Sequence, residues 1–221
     1  MSMQTYRVWD LPTRIFHWAI VAAVLAQWCS AEWNLLSMDW HFRIGYAVLA
    51  LVLFRIAWGF VGSDSARFSR FLAGPSAVAD YAPGVLRREP SARAGHNPLG
   101  GWAVVAMLTL LLAQSLTGLF ATDDISLYGP LSERVSVDTA ERLTSLHKTL
   151  TDVLVAMIAL HLVAVSWYSV WKRERLVPAM LSGRKPLATE PGLRFAGLGR
   201  ALVVLAACSG VVWAVVVFGP R

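Results

Sequence analysis

The stretch Leu146-His147-Lys148-Thr149-Leu150-Thr151-Asp152-Val153-Leu154-Val155-Ala156-Met157-Ile158-Ala159-Leu160-His161-Leu162 decides the fold. It is a largely apolar segment carrying two histidines 14 residues apart. Read as an α-helix, 14 residues make four turns less about 40°, so both imidazoles leave one face, roughly 21 Å apart along the axis. That distance is most of a hydrocarbon core about 30 Å thick. An imidazole inside a membrane span is costly and marks a functional position. Two on one stripe predict two separate sites stacked across a membrane.

The wider chain fits that setting. Of its 221 residues, 56% are hydrophobic and only 15% charged. The apolar residues fall in blocks of about 20, the length that crosses a bilayer, which predicts an all-α, polytopic membrane helix bundle. The net charge of +6 does not indicate nucleic acid, because basic residues in membrane proteins collect in cytoplasmic loops for topological reasons. Cys29 and Cys208 sit singly in apolar stretches, outside any Cys-x-x-Cys-His run. They read as small buried side chains, not as a disulfide, zinc cluster or covalent haem attachment. The first apolar block is long, contains His17 and lacks a small-residue cleavage site, so it reads as a retained anchor.

Five spans are expected, over about residues 15–31, 40–61, 99–120, 146–171 and 198–218. Asp10 is a candidate N-cap for the first, with Pro12 tolerated in its first turn. A turn over 34–39 joins the first two spans. In the polar connection 62–98, Phe68, Phe71 and Leu72 alternate with Arg67 and Arg70, a pattern that suits a short helix at the membrane surface. Gly74-Pro75 and Pro83-Gly84 punctuate it. Asp138 is a candidate cap for the helix that continues into the fourth span. The chain then divides into a core, 1–171, and a linker with the fifth span, 172–221. Gly210 and its small neighbours in that last span suit plain helix packing.

Loop charge gives the orientation. The tail through Arg14, the connection 62–98 and the connection 172–200 hold 2, 5 and 7 Lys/Arg, which is 14 of the chain's 20. The opposite loops carry Glu32, Asp39, Asp123, Asp124, Glu133, Asp138 and Glu141. The positive-inside rule then sets the N-terminus in the cytoplasm and, with five spans, the C-terminus outside the cytoplasmic (inner) membrane.

Orientation assigns each histidine a depth. His41 and His147 fall at the outer level, His17 and His161 at the inner one. Zinc or copper sites want three or four ligands, and neither Cys nor carboxylate stands at matching depth. Haem iron needs only two axial ligands, and a bis-histidine haem in a helix bundle accounts for the number, type, pairing and depth of the four residues together. A single such histidine would ordinarily be a hydrogen-bonded core residue; four in two depth-matched pairs are a different pattern. The 14-residue interval in span four then reads as the spacer between two irons.

Other residues join this scheme. Arg55 lies 14 residues beyond His41, on the same helix face and at the inner level, where it could pair with haem propionates. Arg43 and Lys148 adjoin the outer histidines and could serve the outer propionates or snorkel to lipid headgroups. Gly45 and Gly118 would leave room where a porphyrin presses on backbone, with helix packing as the rival role. His96, at the cytoplasmic mouth of span three, reads as a structural or quinone-site residue and not as a ligand. The ten tryptophans read mainly as interfacial belts and pocket walls.

Several runs resemble the prokaryotic cytochrome b561 family, related to the b-type cytochrome subunits of nickel-iron hydrogenases. They are Val8-Trp9-Asp10-Leu11-Pro12-Thr13-Arg14-Ile15-Phe16-His17-Trp18, His41-x-x-x-Gly45, Arg55-x-x-Trp58-Gly59, Ala66-Arg67-Phe68, His96-Asn97-Pro98-Leu99-Gly100, Thr117-Gly118-Leu119-Phe120-Ala121-Thr122-Asp123-Asp124 and Leu146-His147-Lys148. In order, they cover roughly residues 7–171. The resemblance implies a four-helix core holding two non-covalent b haems, with ligands from its first, second and fourth helices that map onto His17, His41, His147 and His161. It also implies electron transfer between the quinone pool and a redox partner. The fifth span lies outside the strict four-helix pattern, although relatives with a fifth helix occur.

The expected function is therefore a dihaem cytochrome b passing electrons between quinone and an extracytoplasmic partner, such as a c-type cytochrome or an oxidoreductase. Membrane lipid surrounds it, and a second copy of the chain is a further candidate partner. Rival readings are an anchor subunit that docks a c-type cytochrome or soluble oxidoreductase on the acidic loop 121–145, a stand-alone enzyme passing electrons from superoxide to quinone, and a haem or metal transporter. Filled axial positions argue against the transporter.

Overall fold

A computed structural model describes residues 3–33, 35–88, 94–123 and 127–219. Asn34 of the first turn, Arg93 of the basic connection and Asp124 of the acidic loop lie outside the described residues. In chain order come β1 (Gln4–Arg7), α1 (Leu11–Trp33), α2 (Met38–Val61), α3 (Phe68–Phe71), α4 (Pro75–Tyr81) and a 3-10 helix (Ala82–Leu86). There follow α5 (Pro98–Gly118), a second 3-10 helix (Ser132–Arg134), α6 (Val137–Val170), α7 (Leu176–Ser182), β2 (Arg184–Leu187) and α8 (Leu198–Phe218). Among the described residues, α1, α2, α5, α6 and α8 are long and apolar enough to cross a membrane. The all-α polytopic bundle is the observed class.

The chain divides into two compact units, each drawing on parts of several helices. The first comprises Met1–Ile15, Ala57–Met107 and Met157–Ala201. Here β1 pairs antiparallel with β2, with Gln4 opposite Leu187 and Arg7 opposite Arg184. The chain leaves α7 through Gly183, whose φ of 78° is left-handed and whose carbonyl accepts the Val8 and Trp9 amides at 2.8 and 3.2 Å. A side chain there would be strained and would also meet the Trp9 carbonyl. Val8, Trp9, Ala179 and Leu187 close the core beneath this ribbon.

The same unit holds its connections with polar anchors. Asp10 caps α1 as expected, accepting the Thr13 amide at 2.8 Å, and its other oxygen accepts the Trp58 indole at 2.9 Å. Trp102, Trp167 and Trp171 donate their indole N–H groups to the carbonyls of Ala73, Val85 and Leu86. These tryptophans pin the long connection as well as facing the surroundings. The helix expected near Phe68 is one turn, because Gly74-Pro75 restarts the chain as α4. The buried pair Lys185–Glu174 stands at 3.3 Å.

The second unit comprises Phe16–Ile56, Leu108–Ala156 and Leu202–Arg221. Its core joins Leu49 and Ala50 of α2, Leu119 just after α5, and Val212 of α8, with Leu112, Leu131, Val215 and Val216 packed around them. The fifth span is thus seated on α2 and the end of α5. Ser136, not Asp138, starts α6: its hydroxyl accepts the Thr139 amide at 3.3 Å and its carbonyl the Ala140 amide at 3.0 Å. A cap side chain accepts an amide two or three residues on from just outside the helix, and Asp138 already lies inside the first turn.

Candidate functional site

The second unit brings His41, in the first turns of α2, to His147 of α6. The ring centroids stand 6.5 Å apart, with planes at 76°. Each ring is held by a helix that supplies no member of this pair. On α1, Ser30 is fully buried and its Oγ lies 2.8 Å from His41 Nδ1. On α5, Thr117 Oγ1 lies 3.1 Å and the Gln114 carbonyl 2.9 Å from His147 Nδ1. The Gln114 side-chain amide approaches the other ring nitrogen, Nε2, at 3.2 Å.

The surrounding backbone is close. A Cβ at Gly118 would stand 3.0 Å from His147 Cε1, and one at Gly45 would stand 3.0 Å from Gln27 Nε2. Oε1 of both Gln27 and Gln114 is buried without a hydrogen-bond partner among the described residues. Buried amide oxygens are costly in an apolar surrounding. Two of them beside two imidazoles mark a polar chamber within otherwise apolar helices.

This donor set suits a two-ligand metal centre. Among the described residues no group of three or more His, Cys, Asp or Glu could hold a metal ion. Two imidazole nitrogens sharing one metal each lie about 2 Å from it, which with the ring radii puts the centroids roughly 6 Å apart. The observed 6.5 Å agrees. Two neutral nitrogen donors, a glycine against one ring and polar walls fit an axially ligated haem better than a tetrahedral ion.

The remaining expected residues are dispersed. Arg55 is buried in α2, 2% exposed. Arg43 is exposed, its guanidinium 5.4 Å from the Trp40 ring, and Lys148 is exposed beside His147. His17 belongs to the second unit, tilted against Trp18 at 5.0 Å, and His161 to the first. His96 lies between Trp9 and Phe71, with ring centroids 4.8 and 4.7 Å away, which is a packing role.

Gln27, Ser30 and Gln114 are absent from the sequence expectations, and Thr117 enters them only within a family-like run, without a role. Their signal is visible in retrospect: Gln-x-x-Ser and Gln-x-x-Thr each place two polar residues three apart, on one face of an apolar helix.

The family described as prokaryotic cytochrome b561 matches residues 8–183. No curated protein and no solved structure matches the chain.

Proposed function

The chain belongs to the prokaryotic cytochrome b561 family, a family of membrane b-type cytochromes that bind haem b and transfer electrons, and from that premise we propose a dihaem electron carrier. His41 and His147 hold an outer haem, His17 and His161 an inner one. Electrons pass between the quinone pool and an extracytoplasmic redox partner, a c-type cytochrome or an oxidoreductase. The core 1–171 carries both haems, and 172–221 supplies the linker and fifth span. The protein resides in the bacterial cytoplasmic membrane with its N-terminus inside.

The observation that carries this reading is the approach of the His41 and His147 rings to 6.5 Å. When bound, haem iron supplies the one-electron chemistry. The chain's own contribution is to fix two neutral imidazoles, exclude water with apolar helices and bring cations to the cofactor's carboxylates. Buried Arg55 serves the inner propionates. Exposed Arg43 and Lys148 serve the outer ones, in competition with lipid headgroups. Gly118 and Gly45 keep backbone clear beside the outer pair.

Haem extraction from the purified chain and redox difference spectra test the assignment. Two non-covalent haems per chain are expected, both reoxidised by a soluble quinone, and His147→Ala should lose one. Fewer than two haems in the parent, or an intact two-haem spectrum in His147→Ala, overturns the ligand set. Reduced haem that quinone leaves unchanged overturns the electron acceptor.

A further inference from the structure

We infer that Ser30 and Thr117 are positioning residues that lock His41 and His147 as Nδ1–H tautomers, so that both rings present Nε2 to iron. The inference rests on the outer-haem reading and adds to it a hydrogen-bonded shell built by α1 and α5.

Each hydroxyl has a single hydrogen to give. The Ser30 hydroxyl lies 2.7 Å from the Gln27 carbonyl and 2.8 Å from His41 Nδ1. A carbonyl cannot donate, so the only hydroxyl hydrogen goes to it. Ser30 Oγ then offers the ring lone pairs alone, and the hydrogen between them belongs to Nδ1. Thr117 repeats the pattern, its Oγ1 lying 2.9 Å from the Ala113 carbonyl and 3.0 Å from that of Gln114. Its hydrogen is spent on its own helix, so its contact with His147 Nδ1 is N–H donation from the ring. The Gln114 carbonyl, 2.9 Å from the same nitrogen, can only accept and demands the same assignment.

The far edge of His147 agrees. Thr151 donates its hydroxyl hydrogen to the His147 carbonyl at 3.1 Å, so Thr151 Oγ1 accepts from Gln114 Nε2 at 2.9 Å. That contact fixes the amide with its nitrogen toward the histidine. The amide therefore donates to His147 Nε2, the lone-pair nitrogen. One tautomer satisfies every contact in the shell.

Two consequences follow for ligation. Back-bonding to the preceding turn keeps each hydroxyl from rotating, so the acceptor at each Nδ1 is fixed in place. Donation from Nδ1–H raises the basicity of Nε2, which favours the ferric over the ferrous metal. Gln114's amide is the one member of the shell that must swing aside for a metal to reach His147 Nε2.

The test uses the full chain, purified with its haems, and the variants Ser30→Ala and Thr117→Val, with Ser30→Thr and Thr117→Ser as conservative partners. The alanine and valine variants should raise the midpoint potential of one haem, leave the other unchanged and lose the affected haem about 10-fold or more readily on extraction. The conservative partners should restore the parental potential. Thr117→Val is nearly isosteric and carries the test should Ser30→Ala fail to fold, with the smaller shift of the two, since the Gln114 carbonyl still accepts from His147 Nδ1 at 2.9 Å. Unchanged potentials in the folded variants, or a shift that the conservative partners do not restore, overturn the positioning role while leaving the ligands standing. If His41→Ala and His147→Ala each keep both haems with parental spectra, the ligand reading itself fails and the inference with it.

Discussion

Gly45 and Gly118 both flank the outer histidines, yet a methyl group would meet different neighbours. At Gly118 it would press on the His147 ring at 3.0 Å, while at Gly45 it would meet only the end of the Gln27 amide. The ring is held at two nitrogens and cannot yield freely; a glutamine side chain can swing. Gly118→Ala should therefore destabilise the chain by about 1–3 kcal/mol, the usual cost of overpacking, and lower the haem content. Gly45→Ala should be near neutral, since relief of glycine's helix penalty, about 1 kcal/mol, offsets a small side-chain shift. Thermal unfolding and haem per chain, measured on both, would show the contrast, and equal effects would contradict it.

At the scale of elements, the start of α1 is tied to the end of α2 through one carboxylate. Asp10 is fully buried and accepts both the Thr13 amide and the Trp58 indole. Asp10→Ala removes a helix cap, worth about 1 kcal/mol, and takes an acceptor from a buried indole, at a further cost of about 1–3 kcal/mol. Asp10→Asn keeps one acceptor oxygen and should fall between. The order parent, Asn, Ala in unfolding midpoint is the expected result, and an Ala variant as stable as the parent would show that the carboxylate ties nothing. The other long element, α6, has 34 residues, about 51 Å at the standard rise. It exceeds a hydrocarbon core of about 30 Å, so its ends project into the polar regions.

For the whole molecule, charge asymmetry is the governing feature. The positive-inside rule expects the three basic segments on one side of the membrane and the acidic loops on the other. Reporter fusions check this: a periplasm-active reporter in the connection 121–145 or after α8 should be active, and one in the connection 62–98 inactive. The reverse pattern would invert the topology and with it the inner and outer assignment of the four histidines. The basic tail and the basic connection 172–200 supply the two strands of the ribbon, and the latter buries Lys185 against Glu174 at 3.3 Å.

How far this was legible in sequence depends on the range of the interaction. Spans were legible because a bilayer demands about 20 apolar residues in a row, a purely local property, and each observed helix begins and ends within a few residues of its expected bounds, α6 included, whose turns before Leu146 belong to the helix expected to start near Asp138 and run into the fourth span. Asp10 was legible as a cap because its partner is three residues away, whereas the choice of Ser136 over Asp138 depended on where the chain enters the helix. The ribbon of β1 and β2 was not legible: Gln4 pairs with Leu187, and two four-residue strands carry no pattern until tertiary structure brings them together. So too with the seat of α8 on Leu49, Ala50 and Leu119, since an apolar helix face looks the same toward lipid and toward protein. The sequence by itself determined class, spans and charge asymmetry, because all of these are set along the chain. Only the tertiary structure decided that Ser30, Gln114 and Thr117 surround the His41 and His147 rings, because hydrogen bonds between helices depend on rotamers and crossing positions that no single segment encodes.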